Sequence, residues 1–169
     1  YELKKTFSET MTEALTVLNQ CQAEFTQKFG RYYQPVMRCP EGDGKSDTAL
    51  LCCGAMTGTA RVAVADLNKN GTPTDLFKLR LLRPFPNREL YDALKDKKRV
   101  IVLNRACSYG VGGTLSQEVR AALYNLPQRP LVNDVIISLG GKEVFPETIA
   151  EVVENRDQLS SIDCNWLNN

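Results

Sequence analysis

The 169-residue sequence predicts an α/β domain, an open and mostly parallel β-sheet with helices on both faces. Three observations predict it. From Thr48 onward, short apolar runs of strand length alternate with stretches whose apolar residues recur every three or four positions. Each run closes on glycine or proline, the residues that punctuate turns. The length and the 43% hydrophobic content suit one domain around one core.

The elements follow in order. Phe7, Met11, Ala14, Leu15, Leu18, Cys21, Phe25 and Phe29 recur at helical spacing. They lay an apolar stripe along a helix over the first thirty residues, with Gly30 as its stop. Residues 31–47 form an irregular stretch that packs Tyr32 and Tyr33 and contains the Gly42-Asp43-Gly44 turn. A first strand over 49–53 closes on Gly54, and its adjacent Cys52 and Cys53 point to opposite faces. A helix over 57–68, capped by Thr57, carries Ala60, Ala63, Val64 and Leu67 on one side and ends at Asn70-Gly71. The second strand, 76–82, closes on Pro84. It puts Phe77, Leu79 and Leu81 on one face but Lys78 and Arg80 on the other, so it should lie near an edge or meet a neighbouring domain. Asn87 caps a short helix running to Leu94, and a third strand covers 100–103. Thr114 and Gln117 form a capping box for a helix bearing Leu115, Val119, Ala122 and Leu123. A fourth strand, 132–139, closes on Gly140-Gly141. The last helix starts near Pro146 with Ile149, Val152 and Val153, and the tail from Leu159 carries no pattern.

Composition narrows the function classes. The 21 basic and 20 acidic residues nearly cancel, so neither nucleic acid nor an anionic membrane is expected as a partner. No apolar run approaches the roughly 20 residues that span a bilayer. The chain has no histidine, which removes the usual general base, Ser-His and Cys-His nucleophile pairs and His-based metal sites. The six cysteines include no C-x-x-C pair and read as small, buried, reduced thiols, with no metal or iron–sulfur ligation. With Tyr1 first and no secretory signal, the expectation is a cytoplasmic fragment of a longer chain.

In such a sheet, ligands gather where strands end and helices begin. Four corners qualify. The first is Gly54-Ala55-Met56-Thr57-Gly58-Thr59, where Thr57 and Gly58 are candidates for an anion at a helix start. The second is Arg83-Pro84-Phe85-Pro86, where Arg83 could meet a carboxylate or phosphate. The third runs from Asn104-Arg105 to Gly110, Gly112, Gly113 and Thr114. It resembles an anion cradle but is not G-x-G-x-x-G, and no acidic residue is placed for a ribose. The fourth is Gly140-Gly141-Lys142. Gly42-Asp43-Gly44 followed by Asn68-Lys69-Asn70 imitates a thiamine-diphosphate motif. Its context is wrong, because the turn precedes the first strand and the asparagines sit where a helix stops.

At these corners the sequence resembles the α subunit of pyruvate:ferredoxin oxidoreductase. The stretches that carry the resemblance are Phe29-Gly30-Arg31-Tyr32-Tyr33, the Gly54-to-Thr59 corner, and Lys78-Leu79-Arg80-Leu81-Leu82-Arg83-Pro84-Phe85-Pro86. Val102-Leu103-Asn104-Arg105 with Ser108-Tyr109-Gly110, then Gly113 to Tyr124, then Leu139 to Val144 continue it. The resemblance implies a three-layer α/β/α fold similar to the C-terminal domain of transketolase, with a five-stranded sheet. The fifth strand would lie in residues 31–37 or in the tail. It implies a helix over 1–30 leading in from a preceding domain, and an α/β domain over 31–169. It assigns no catalytic residue to this chain, and places thiamine diphosphate, magnesium and iron–sulfur clusters in other domains or subunits. Those domains would be its partners, with ferredoxin and coenzyme A serving the parent enzyme. Asn104 departs from the family pattern, which usually shows Asp before Arg.

The leading expectation is therefore a non-catalytic assembly domain of an oxidoreductase, with Lys78, Arg80, Arg83 and Arg105 as contacts to its neighbours. The alternatives are a small-molecule module holding a coenzyme A or regulator phosphate at residues 110–114, and a flavodoxin-like electron carrier.

Overall fold

The computed structural model describes residues 1–167. In chain order the elements are α1 (Glu2–Phe29), β1 (Val36–Arg38), β2 (Thr48–Cys53), α2 (Met56–Lys69), β3 (Asp75–Leu79), α3 (Asn87–Leu94) and β4 (Arg99–Asn104). They continue with β5 (Cys107–Ser108), β6 (Gly112–Gly113), α4 (Thr114–Leu123), β7 (Leu131–Ile136), α5 (Pro146–Glu154) and β8 (Asn165–Trp166). The main sheet has the order β1-β3-β2-β4-β7-β8. It is parallel throughout except at β1, which runs antiparallel to β3. β5 and β6 make a small separate hairpin.

Side chains alternate across each strand, and this alternation builds two cores. Leu50 and Cys52 of β2, Leu76 of β3, Ile101 and Leu103 of β4 and Val135 beside them pack under α2 and α5. Ala49 and Leu51, Phe77 and Leu79, Val100 and Val102 pack under α3 and α4. The three-layer sandwich follows, since strands buried on both faces need helices on both.

Several expectations change. The sheet has six strands rather than five, because both candidate regions contribute one: β1 from the stretch after α1 and β8 from the tail. The second strand ends at Leu79 rather than Leu82. Its neighbour β2 stops opposite it at Cys53, where Gly54 turns away at φ 64° and leaves nothing on that side to pair with, while on the other side the Arg80 amide donates to the Pro35 carbonyl at 2.8 Å. β3 consequently lies one strand in from the edge, with Lys78 half-buried and Arg80 beyond the strand, exposed. None of the proposed N-terminal caps forms. The Thr57 hydroxyl donates to the Gly54 carbonyl at 2.9 Å, Pro86 precedes a helix that already includes Asn87, and Gln117 donates to the Val111 carbonyl at 2.9 Å. Of the six cysteines, Cys39 and Cys52 are buried, Cys21 is exposed and the others are half-buried. The first helix does form and stops at Gly30 in the left-handed region, but it buries none of its residues.

The end of the sheet where strands begin is sealed by polar groups. The Lys97 Nζ donates to Asp75 Oδ2 at 2.6 Å and to the carbonyls of Ser46 and Gly44 at 2.7 and 3.0 Å. Asp75 Oδ1 accepts from the Gly44 amide at 2.8 Å. At the other side of this end, Arg99 pairs with Asp157 at 2.7 Å and Asn133 donates to Ser160 at 3.0 Å. A buried ion pair survives when its remaining donors and acceptors are also satisfied, as they are here.

Candidate functional site

The opposite end, where strands finish, is open. β2 sends the chain to α2 on one face while the adjacent β4 sends it to α4 on the other. Loops that part in this way leave a crevice between them, the usual ligand position of an open α/β sheet. A cleft of about 460 Å³ occupies this place. It is lined by Cys53, Leu82, Arg83, Leu103, Asn104, Arg105, Ala106, Thr114, Leu115 and Glu118.

The wall formed by α4 is organised around a buried carboxylate. Asp134 of β7 accepts from the Gly113 amide at 2.7 Å, the Ser116 hydroxyl at 2.9 Å and the Asn104 amide at 2.9 Å. Asn104 returns its carbonyl oxygen to the Leu115 amide at 3.0 Å. A negative group at a helix start is favoured by the exposed amides there, and Asp134 supplies it from inside. Glycine is required at 113, because a Cβ there would collide with Asn104 and Asp134. Neither Asp134 nor Ser116 was singled out from the sequence. The signal was available: an Asn-Asp pair inside the apolar run of a central strand demands buried partners.

The six anion candidates fall in two groups on opposite faces of the sheet, and the structure does not bring them together. Thr57 is buried and Gly58 exposed, both on α2, and the Gly58 amide is turned to the Ala55 carbonyl at 3.0 Å. Gly110 lies exposed at the hairpin tip, Gly112 and Gly113 are buried, and Thr114 alone of the six lines the cleft. Among the four basic candidates, Arg83 and Arg105 both line the cleft, whereas Lys78 and Arg80 do not. The Arg83 guanidinium grips Glu118 through two hydrogen bonds of 2.7 and 2.5 Å, and these bonds and that charge push its pKa above the ordinary arginine value. The Arg80 guanidinium stacks on the Tyr33 ring 4.3 Å from its centre. Arg105 makes no hydrogen bond or ion pair among the described residues and borders both this cleft and a shallower one beside the start of α2.

Cys53 borders the cleft, while Cys52 behind it is pushed up to about 11 by burial, an effect its contact with the Thr57 hydroxyl only partly offsets. Burial, with the nearby Glu41, raises Cys39 too. Both thiols are therefore held in the protonated, unreactive form.

The residues that imitate a thiamine-diphosphate motif do not fit that cofactor. Asp43 accepts from the Lys45 amide at 2.8 Å, and the Asn68 side chain is consumed by the Glu41 and Thr74 carbonyls and the Thr74 amide at 2.9, 3.0 and 2.8 Å. These groups close the loop onto the sheet. Among the described residues no cluster of three or more metal-ligating side chains occurs, and no helix is long and apolar enough to cross a membrane.

Comparison with known proteins adds the remaining findings. The family model for pyruvate:ferredoxin oxidoreductase core domain II matches residues 46–149. The chain is 32% identical over 155 residues to ketoisovalerate oxidoreductase subunit VorA of Pyrococcus horikoshii, covering 92% of this chain and 39% of that protein. It is 30% identical over 155 residues to pyruvate synthase subunit PorA of Thermotoga maritima, with the same coverage of 92% and 39%. It thus spans about two-fifths of the length of these relatives. In fold it is similar to a 2-oxoglutarate:ferredoxin oxidoreductase from Magnetococcus marinus, with a TM-score of 0.56 at 23% identity over 78% of this chain and 21% of that one. It is also similar to a split-gene transketolase in an inactive beta4 tetramer, with a TM-score of 0.57 at 18% identity over 76% of this chain and 44% of that one.

Proposed function

Since the chain belongs to the pyruvate:ferredoxin oxidoreductase core domain II family, we propose that it is a non-catalytic assembly domain of a thiamine-diphosphate-dependent 2-oxoacid:ferredoxin oxidoreductase. The parent enzyme would decarboxylate a 2-oxoacid such as pyruvate, pass the electrons through iron–sulfur clusters to ferredoxin, and deliver the acyl group to coenzyme A, or run the reverse synthesis. Thiamine diphosphate, magnesium and the clusters would be held by other domains or subunits, which are the partners of this one.

The observation that carries the reading is the open end of the sheet, where strands finish. One end is closed by Lys97, Asp75, Arg99 and Asn133, whose polar atoms are paired within the chain. The other presents Tyr109 at 93% exposure with Val111, Leu82 and Phe145, together with the unpaired Arg105. Large exposed apolar side chains beside an uncommitted guanidinium are the composition of a contact surface rather than of a solvated one. In the parent enzyme this end would face the thiamine-binding domain.

An assay of the purified chain tests the non-catalytic part. With pyruvate, coenzyme A and thiamine diphosphate supplied, it should reduce no ferredoxin. Sustained turnover would refute the reading.

A further inference from the structure

We propose that the cleft between the ends of β2 and β4 binds a small aliphatic monocarboxylate, with Arg105 meeting the carboxylate and Leu82, Leu103 and Leu115 holding the aliphatic body. The volume of about 460 Å³ lies within the range of small-molecule sites, and the position is the switch point of the sheet. Half of the lining residues are polar or charged, but the wall surface open to a ligand is mainly apolar, which calls for an apolar ligand body.

The charge inventory selects the head group. Arg83 and Arg105 carry two positive charges and Glu118 one negative, so the three ionic groups of the cleft leave one positive charge to be met. Arg83 is already committed to Glu118 in a bidentate pair, leaving Arg105 as the free guanidinium. A guanidinium matches a planar carboxylate through two parallel hydrogen bonds. A phosphate would demand more. Its favoured cradle is a set of free amides at a helix start, and at α4 the Gly113 and Leu115 amides are spent on Asp134 and Asn104. The cleft is built wholly from this chain, so the isolated chain tests binding there whether or not the open end docks on a partner.

The test is a titration of the ¹⁵N-labelled chain with isovalerate, followed by amide chemical shifts. Saturable shifts confined to residues around the cleft are expected, with a millimolar Kd. The neutral analogue 3-methyl-1-butanol, with the same aliphatic body, and inorganic phosphate should produce none. Arg105→Ala should weaken isovalerate binding about tenfold, the scale of one lost charge-assisted contact, and Arg105→Lys should recover part of the loss. The Arg105 side chain is exposed and unpaired, so both variants should melt like the parent. Glu118→Gln should tighten binding several-fold, because it removes the negative charge and frees Arg83. The proposal is overturned if isovalerate gives no saturable shift, if the alcohol or phosphate binds as well, or if Arg105→Ala binds like the parent.

Discussion

Asn104 donates a 2.9 Å hydrogen bond to the Asp134 carboxylate, and both side chains are buried between β4, β7 and α4. The pair holds the start of α4 against the sheet and so sets one wall of the cleft. Aspartate at 104 would stand carboxylate to carboxylate with Asp134, whereas asparagine keeps the shape and supplies a donor.

Asn104→Asp should therefore destabilise the domain at neutral pH by about 2–4 kcal/mol, the scale of an uncompensated buried charge. Two adjoining carboxylates hold a proton more tightly in the folded state than in the unfolded one. The penalty should be absent in acid and grow as pH rises above the free-carboxylate value of about 4. Urea unfolding at a series of pH values measures it.

Two glycine-to-alanine changes should act in opposite directions. At Gly113 a Cβ would collide with Asn104 and Asp134, so Gly113→Ala should cost about 2 kcal/mol or more. At Gly58, inside α2, nothing lies within 4 Å of the added carbon, so Gly58→Ala should stabilise by up to about 1 kcal/mol. Thermal melts of both variants give the comparison.

Lys97→Met leaves Asp75 buried without its counter-charge and should cost about 3–5 kcal/mol. Adding Asp75→Leu to that variant should recover a large part of the loss, because the hydrophobic pair no longer strands a charge. A double-mutant cycle by chemical denaturation reads the coupling.

The layered architecture was legible because each central strand is buried on both faces and each of the helices α2 to α5 on one. Leu50 and Leu51, or Ile101 and Val102, go to different cores by period alone. β1 and β8 were hidden by their brevity: Val36–Arg38 and Asn165–Trp166 are too short to display an alternation, and only pairing with β3 and β7 makes them strands. The capping residues misled because Thr57 and Gln117 find backbone carbonyls instead of amides. At the site, Arg83 and Arg105 could be named as charges at strand ends. That both line one cleft could not, nor that Arg83 pairs with Glu118, 35 residues away in the chain. The helical period gave α1 an apolar stripe, yet the structure leaves its Phe7, Met11 and Phe29 exposed, and period does not reveal what a helix packs on.

The thiols should react in order of exposure. Under native conditions at pH 8, Cys21 should be alkylated first, and Cys39 and Cys52 only on unfolding. Cys52, held at about 11, resists ionisation when folded but not when unfolded. Stability should accordingly fall as pH rises past the ordinary thiol value of about 8.5, by about 2–3 kcal/mol on reaching the folded value, and Cys52→Ala should flatten that decline. Timed mass spectrometry and alkaline denaturation check the two halves.

The contact role of the open end is tested most directly by co-expressing this chain with the thiamine-binding polypeptide of a 2-oxoacid:ferredoxin oxidoreductase and measuring co-purification together with pyruvate-dependent ferredoxin reduction. The parent chain should co-purify and support turnover, while Tyr109→Ser combined with Phe145→Ser, both exposed and so neutral to folding, should melt normally yet lose both. Co-purification and activity unchanged in the double variant would contradict the account.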